Sequence, residues 1–186
     1  EWMTLDASLC EYVDKPQFAI KPELARPLIQ AIHKGTGVTV VYRSMEHPDG
    51  TERSLFPHTL VYSGFRWHIR AWCCVRKDFR DFNLSRVSHV TALNEAPLPE
   101  AVPDQDELWN MMVDIHFMAN PGMNEHERSL IEAEFGMANG LLKVNTRAAL
   151  VMYTLQAYQV DPDQEQDVYK QRLVLANPDD IAPFLW

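Results

Sequence analysis

The sequence predicts a mixed α+β protein: a small antiparallel β-barrel followed by a small α+β module. Three observations carry that prediction. Four short segments of alternating or β-branched character follow one another between residues 38 and 93, separated by tight-turn residues. A proline- and acid-rich stretch, "NEAPLPEAVPDQDE" (94–107), then interrupts the pattern. Beyond it, helical and strand periodicities alternate in short pieces. The chain has 186 residues, 46% of them apolar, so it suits one or two domains and can bury a sizeable core.

The N-terminal segment and its helix (1–37) come first. In "PELARPLIQAIHK" (22–34), Leu24, Leu28, Ile29 and Ile32 fall on one stripe, and the "GTG" that follows stops the helix. Pro27 sits early in this stretch, so the helix proper is expected to begin there. The barrel occupies 38–93. "VTVVYRS" (38–44) is followed by the turn "HPDG", and "RSLFPHTLVYS" (53–63) by Gly64. "RWHIRAWCCV" (66–75) and "FRDFNLSRVSHVTAL" (79–93) complete the meander. Residues 94–107, with three prolines and five acids, read as a semi-rigid, self-repelling linker.

The C-terminal module occupies 108–186. "LWNMMVDIHFMA" (108–119) predicts a strand. "NEHERSLIEAEFG" (124–136) predicts a helix with Asn124 as N-cap, acids in its first turn and Gly136 as C-cap. "LLKV" (141–144) is a strand, "NTRAALVMYTLQAYQ" (145–159) a helix capped by Asn145, and "RLVLAN" (172–177) a last strand. The apolar positions of the second helix, Leu150, Met152, Tyr153, Leu155 and Tyr158, suit an interface or a core.

Charge is distributed unevenly. The formal net charge is −9, which argues against a chain that grips duplex DNA along its whole surface. Residues 40–90 nevertheless carry eight basic against five acidic side chains, whereas residues 91–186 carry five against sixteen. That asymmetry favours a local anion site. The three cysteines, Cys10, Cys73 and Cys74, have neither the number nor the spacing of a disulfide framework or zinc site, and predict reduced thiols in a cytoplasm. No apolar run approaches the ~20 residues of a membrane span. Neither GxSxG, HExxH nor a phosphate-cradling glycine loop occurs, and His116 and His126 lie too far apart for metal spacing, so no enzyme, metal or cofactor is expected.

Period-2 alternation sorts the third strand. His68, Arg70, Trp72 and Cys74 share one face, while Trp67, Ile69, Ala71 and Cys73 share the other and make the better core set. His68 and Arg70 are therefore free to meet a ligand or water. On the fourth strand Arg80, Phe82, Leu84 and Arg86 have one parity. The two arginines are ~20 Å apart at ~3.3 Å per residue, too far to grip one phosphate unless the strand bends. They suit successive phosphates of a short strand, or only one of them is functional. A guanidinium fork matches phosphate and stacks on bases.

"VVYRS", "ERSLFPHTL", "RWHIRAW" and "FRDFNLSRV", in that order, resemble the WYL domain of bacterial transcriptional regulators, with Trp67-His68-Ile69 at the signature triplet. "HFMANPGMNEHERSLIEAEFG" and the aliphatic helix after it resemble the WCX-type C-terminal extension that accompanies such domains. The resemblance covers about 150 of the 186 residues. It implies an Sm-like or SH3-type barrel that senses a ligand, downstream of a winged helix-turn-helix that binds operator DNA. That part is not in this chain, which opens without an initiator Met and reads as a piece of something longer.

The resemblance also implies a homodimeric, cytoplasmic repressor linked to phage defence or DNA damage, with a nucleotide or short single-stranded nucleic acid as effector. The family pattern falls on Tyr42, Ser44, His58, Arg80 and Arg86. Trp67, at the head of the triplet, joins this set with its ring expected inside the barrel; His68 and Arg70 join it from the strand's other face. His68 replaces the family's tyrosine and adds a group that titrates near neutral pH. Asn83 stands where the family often has a base. An alternative stays open: an SH3-like protein-interaction module without an effector, binding with little dependence on salt.

Overall fold

The computed structural model describes residues 20–93, 95–162 and 167–185; Cys10 and most of the N-terminal segment lie outside them. The chain divides into two compact units between Ala96 and Pro97.

The first unit opens with α1 (Pro22–Lys34). It starts at Pro22 rather than at Pro27, because a proline at the first helical position loses no hydrogen bond. Pro27 removes one bond within the helix, and burial of Leu28 and Ala31 offsets it. Ile29, expected on the buried stripe, is 38% exposed. Gly35 ends the helix at φ 62°, where its N–H reaches Ile32 O.

Five strands follow: β1 (Val38–Tyr42), β2 (Thr51–Tyr62), β3 (Trp67–Cys73), β4 (Asp78–Asn83) and β5 (Val87–Ala92). All pairings are antiparallel, in the order β4-β3-β2-β1-β5. The two edge strands are joined only by a 3-10 turn, Leu84–Arg86. Four residue steps span at most ~14 Å, so the edges must come back together and the sheet rolls into a barrel. Its core holds Leu28, Val38, Val40, Leu55, Ile69, Ala71, Cys73, Phe82, Leu84 and Val87.

The single strand expected over 79–93 is thus two. Asn83 breaks it: its side-chain oxygen accepts from Ser85 N at 3.0 Å and Ser85 Oγ at 2.8 Å, an Asx turn that competes with the ladder. In β2, a register shift between Pro57 and Thr59 absorbs a proline that cannot donate to the ladder.

The second unit has a three-stranded antiparallel sheet in the order β7-β6-β8, with β6 (Met112–Ala119), β7 (Leu142–Arg147) and β8 (Leu173–Leu175). Three of its helices are α2 (Glu107–Asn110), α3 (Glu125–Glu134) and α4 (Val151–Ala157), and α5 (Pro178–Ile181) follows β8. Ile115, Phe117, Ile131, Val151, Leu155, Leu173 and Ile181 form its core. Asn124 caps α3 through a capping box with Glu127.

Two expectations differ here. Asn145 is not a helix cap; it lies in β7 and donates to Asp114 Oδ1, while α4 starts at Val151 after a 3-10 turn. The acid-rich stretch before it is ordered into short helical turns. Asp106 is 1% exposed and caps α2 by accepting from Trp109 N at 3.1 Å. Among the described residues, no helix is long and apolar enough to cross a membrane.

Candidate anion site on the barrel

The register sets the site. His68 of β3 lies opposite Val61 of β2 and Asn83 of β4, on the face away from the barrel core. Both are nearly buried, His68 at 8% and Asn83 at 7% exposure. The Asn83 backbone N–H donates to Tyr42 Oη at 3.4 Å, and the Tyr42 ring meets Phe82 edge-on at 5.1 Å. Tyr42 therefore ties the end of β1 to the end of β4. One residue further on, Arg43 N donates to Arg86 O at 2.9 Å. The Asx turn at Asn83 thus delivers Arg86 to the same end of the barrel as His68.

Burial first, then the charges of Arg66 and Arg86, lower the His68 imidazole from 6.5 to about 4. The titration near neutral pH expected for His68 is therefore absent: the ring is neutral at physiological pH. Ser63 Oγ lies 3.4 Å from His68 Nε2 and donates to Arg66 O at 3.2 Å. With its only proton committed, that hydroxyl is left to accept, which favours the tautomer protonated at Nε2. With Nε2–H given to Ser63, the neutral ring offers an anion no donor of its own, and the positive charge at this end of the barrel is that of the arginines. Arg86 is exposed and makes no ion pair with a described residue.

The other candidates fall elsewhere. Arg70 is 4% exposed and faces Asp81 across the β3–β4 register, 3.5 Å from its carboxylate. It is paired inside the protein rather than open to solvent. Arg80 lies opposite Ala71, three residues along β4 from Asn83, in an exposed pair with Asp78 at 3.3 Å. Ser44 Oγ accepts from His47 N at 3.1 Å and holds the β1–β2 turn. His58, at the β2 bulge, bonds Thr59 Oγ1 at 2.8 Å and meets Phe79 edge-on. Trp67 is not core: it is 39% exposed, because the strand begins beyond the packed layer, and its ring rests on Tyr62.

From the sequence-predicted set, Tyr42, His68 and Arg86 lie at this end of the barrel, with Ser63, Arg66 and Asn83 beside them; the Arg43 side chain instead donates from Nε to Pro48 O at 2.6 Å. Arg66 shares the parity of His68, so its place was visible in "RWH". A separate cleft of about 530 Å³ lies in the second unit, beside the ion pair of Arg172 with Glu134 at 3.7 Å. Both of its cations are already matched, Arg172 by Glu134 and Lys170 by Asp167 at 3.5 Å. Among the described residues, no group of three His, Cys, Asp or Glu could hold a metal ion.

Residues 23–92 match the family model of the WYL domain. Residues 112–181 match that of the BrxR transcriptional regulator, C-terminal dimerization domain; this is the module whose sequence resembles a WCX-type extension. The chain is 37% identical over 164 residues to the DNA-binding transcriptional repressor CapW of Escherichia coli strain KTE188, covering 88% of this chain and 54% of that protein. It is 36% identical over 167 residues to the CapW repressor of Pseudomonas aeruginosa, covering 89% and 55%. The chain therefore spans about half the length of these curated relatives. Among solved structures, proteasome accessory factor B/C of Arthrobacter aurescens overlaps 89% of this chain and 26% of that one, at 20% identity and a TM-score of 0.42.

Proposed function

We propose that the chain, which carries a WYL domain followed by a BrxR-type C-terminal dimerization domain, is the effector-sensing and pairing part of a DNA-binding transcriptional repressor of the WYL type. Operator DNA is then bound by a winged helix-turn-helix of the full-length protein, the second unit pairs two copies, and the repressor works in the cytoplasm. The operon is of the phage-defence or DNA-damage kind that the sequence resemblance implies. The barrel binds an anionic effector, a nucleotide or short single-stranded nucleic acid, through Arg66 and Arg86, with Tyr42, His68 and Asn83 at its border.

One observation carries this reading: Arg86 is exposed at the end of the barrel where β1 meets the 3-10 turn, without an ion-pair partner among the described residues, in a chain of formal net charge −9. Fixed positive charge on an otherwise negative protein attracts phosphate locally and repels it elsewhere. The effector switches repression only if it prefers one of the two DNA-binding states, each tenfold preference being worth about 1.4 kcal/mol.

Native mass spectrometry of the chain purified without denaturant tests the reading. A phosphate-bearing adduct on the wild type that is missing from the Arg66→Glu, Arg86→Glu double variant supports it. An adduct retained by the double variant places the effector elsewhere.

A further inference from the structure

Residues 91–186 carry sixteen acidic against five basic side chains, so two copies of the second unit repel each other over most of their surface. Copies that pair must meet where that charge is relieved. Three of the five cations offer no relief. Arg172 lies against Glu134 at 3.7 Å and Lys170 against Asp167 at 3.5 Å, while Arg128 stands among the acids of α3. The other two, Lys143 and Arg147, lie on β7, and neither makes an ion pair with a described residue.

β7 is an edge strand, next to β6 alone. Its register sets Arg147 opposite Met112, Asn145 opposite Asp114 and Lys143 opposite His116. These six share one face of the sheet, and the residues that alternate with them, such as Ile115, Phe117 and Val144, pack into the core on the other. Asp114, Asn145 and Lys143 are exposed. Asn145 Nδ2 donates to Asp114 Oδ1 at 2.6 Å, which holds the single acid of the six midway between the two cations.

The end of this sheet, where β6 begins and β7 ends, is apolar. Leu108, Met111 and Met112 are 45%, 46% and 51% exposed within five residues of chain. The Arg147 guanidinium carbon lies 4.7 Å from the centroid of Trp109, and its Nη1 donates to the Trp109 carbonyl, so the cation is fixed beside them. Leucine and methionine around a held arginine and tryptophan have the composition of an interface core rather than of a solvated sheet. Leu130 on α3, also exposed, stands instead between Glu127 and Glu134, where a second copy would bring acid against acid.

Resting on the reading that the second unit pairs two copies, we propose that they pair through the β6–β7 face, which takes the same face of a second copy of this chain. Met112 and its apolar neighbours anchor the contact. Lys143 and Arg147 of each copy face Asp114 of the other, and two-fold symmetry makes every contact twice.

Sedimentation velocity of the 186-residue chain over a range of concentrations gives the dimer dissociation constant. Met112→Asp and Lys143→Glu should each raise it about tenfold or more, the loss of an anchoring contact. Leu130→Asp adds the same charge as Met112→Asp but on α3, and should leave it unchanged. Lys143 is exposed and without an ion pair among the described residues, so its variant reports on the face even if Met112→Asp melts early.

Wild-type affinity in both face variants overturns this interface and leaves pairing by the second unit standing. Loosening by Leu130→Asp as large as that of the face variants overturns it too, because added charge anywhere would then account for the loss. A wild-type chain that stays monomeric at every concentration removes the pairing reading and the interface with it.

Discussion

The backbone N–H of Arg43 donates to the carbonyl of Arg86 at 2.9 Å, so two arginines stand abreast where the end of β1 meets the 3-10 turn. The bond exists because β5 pairs with β1, and β5 reaches β1 because Asn83 ends β4. Local turn chemistry, barrel closure and the position of a guanidinium are one chain of causes.

The turn itself is therefore testable. Asn83→Ala removes the acceptor for Ser85 N and Oγ and should cost about 1–2 kcal/mol in urea unfolding. Asn83→Asp keeps an acceptor and should recover most of that stability. It also sets a carboxylate beside His68, so it should weaken anion binding while the fold holds. Equal affinity of Asn83→Asp and wild type would remove Asn83 from the border of the site.

Arg70 and Arg80 should behave oppositely. The Arg70–Asp81 pair has side-chain exposures of 5% and 11%, and Arg70→Ala leaves a carboxylate buried without its charge partner. That loss should cost about 3–5 kcal/mol, and Asp81→Ala a similar amount. The Arg80–Asp78 pair has exposures of 55% and 57%, so Arg80→Ala should cost less than about 1 kcal/mol. Chemical denaturation of the three variants checks the contrast.

His68 predicts a pH dependence with a definite sign. Its folded value, about 4, lies below the 6.5 of an unperturbed imidazole, so between the two the unfolded chain binds more protons. Stability from this group is complete above 6.5 and is lost as pH falls towards 4. His68→Gln should flatten the curve over that window in urea unfolding. A phosphate bound beside the ring favours its charged form, so ligand should raise the His68 titration seen by NMR. An unmoved titration with ligand saturating would separate His68 from the site.

The sequence revealed element order and strand parity better than it revealed burial. Alternation put Ile69, Ala71 and Cys73 in the core, and all three are fully buried. The same alternation put Trp67 with them, but the core layer ends before the strand does. Parity placed His68 and Arg70 on the other face without saying that this face is closed too. Arg70 meets Asp81 only through cross-strand register, which spacing along the chain does not encode. The break at Asn83 was hidden because the apolar alternation runs on through Phe82 and Leu84 while a side-chain hydrogen bond ends the strand. Arg66 was legible by parity beside His68 yet sits in a turn, where parity is easily discounted.

The most direct test is the salt dependence of oligonucleotide binding to the wild type and to Arg86→Gln. If Arg86 holds a phosphate, the variant should bind more weakly, and the slope of log affinity against log salt should fall by about 0.7, the share of one single-strand phosphate contact. Identical affinity and slope in the two proteins would contradict an anion site built on Arg86.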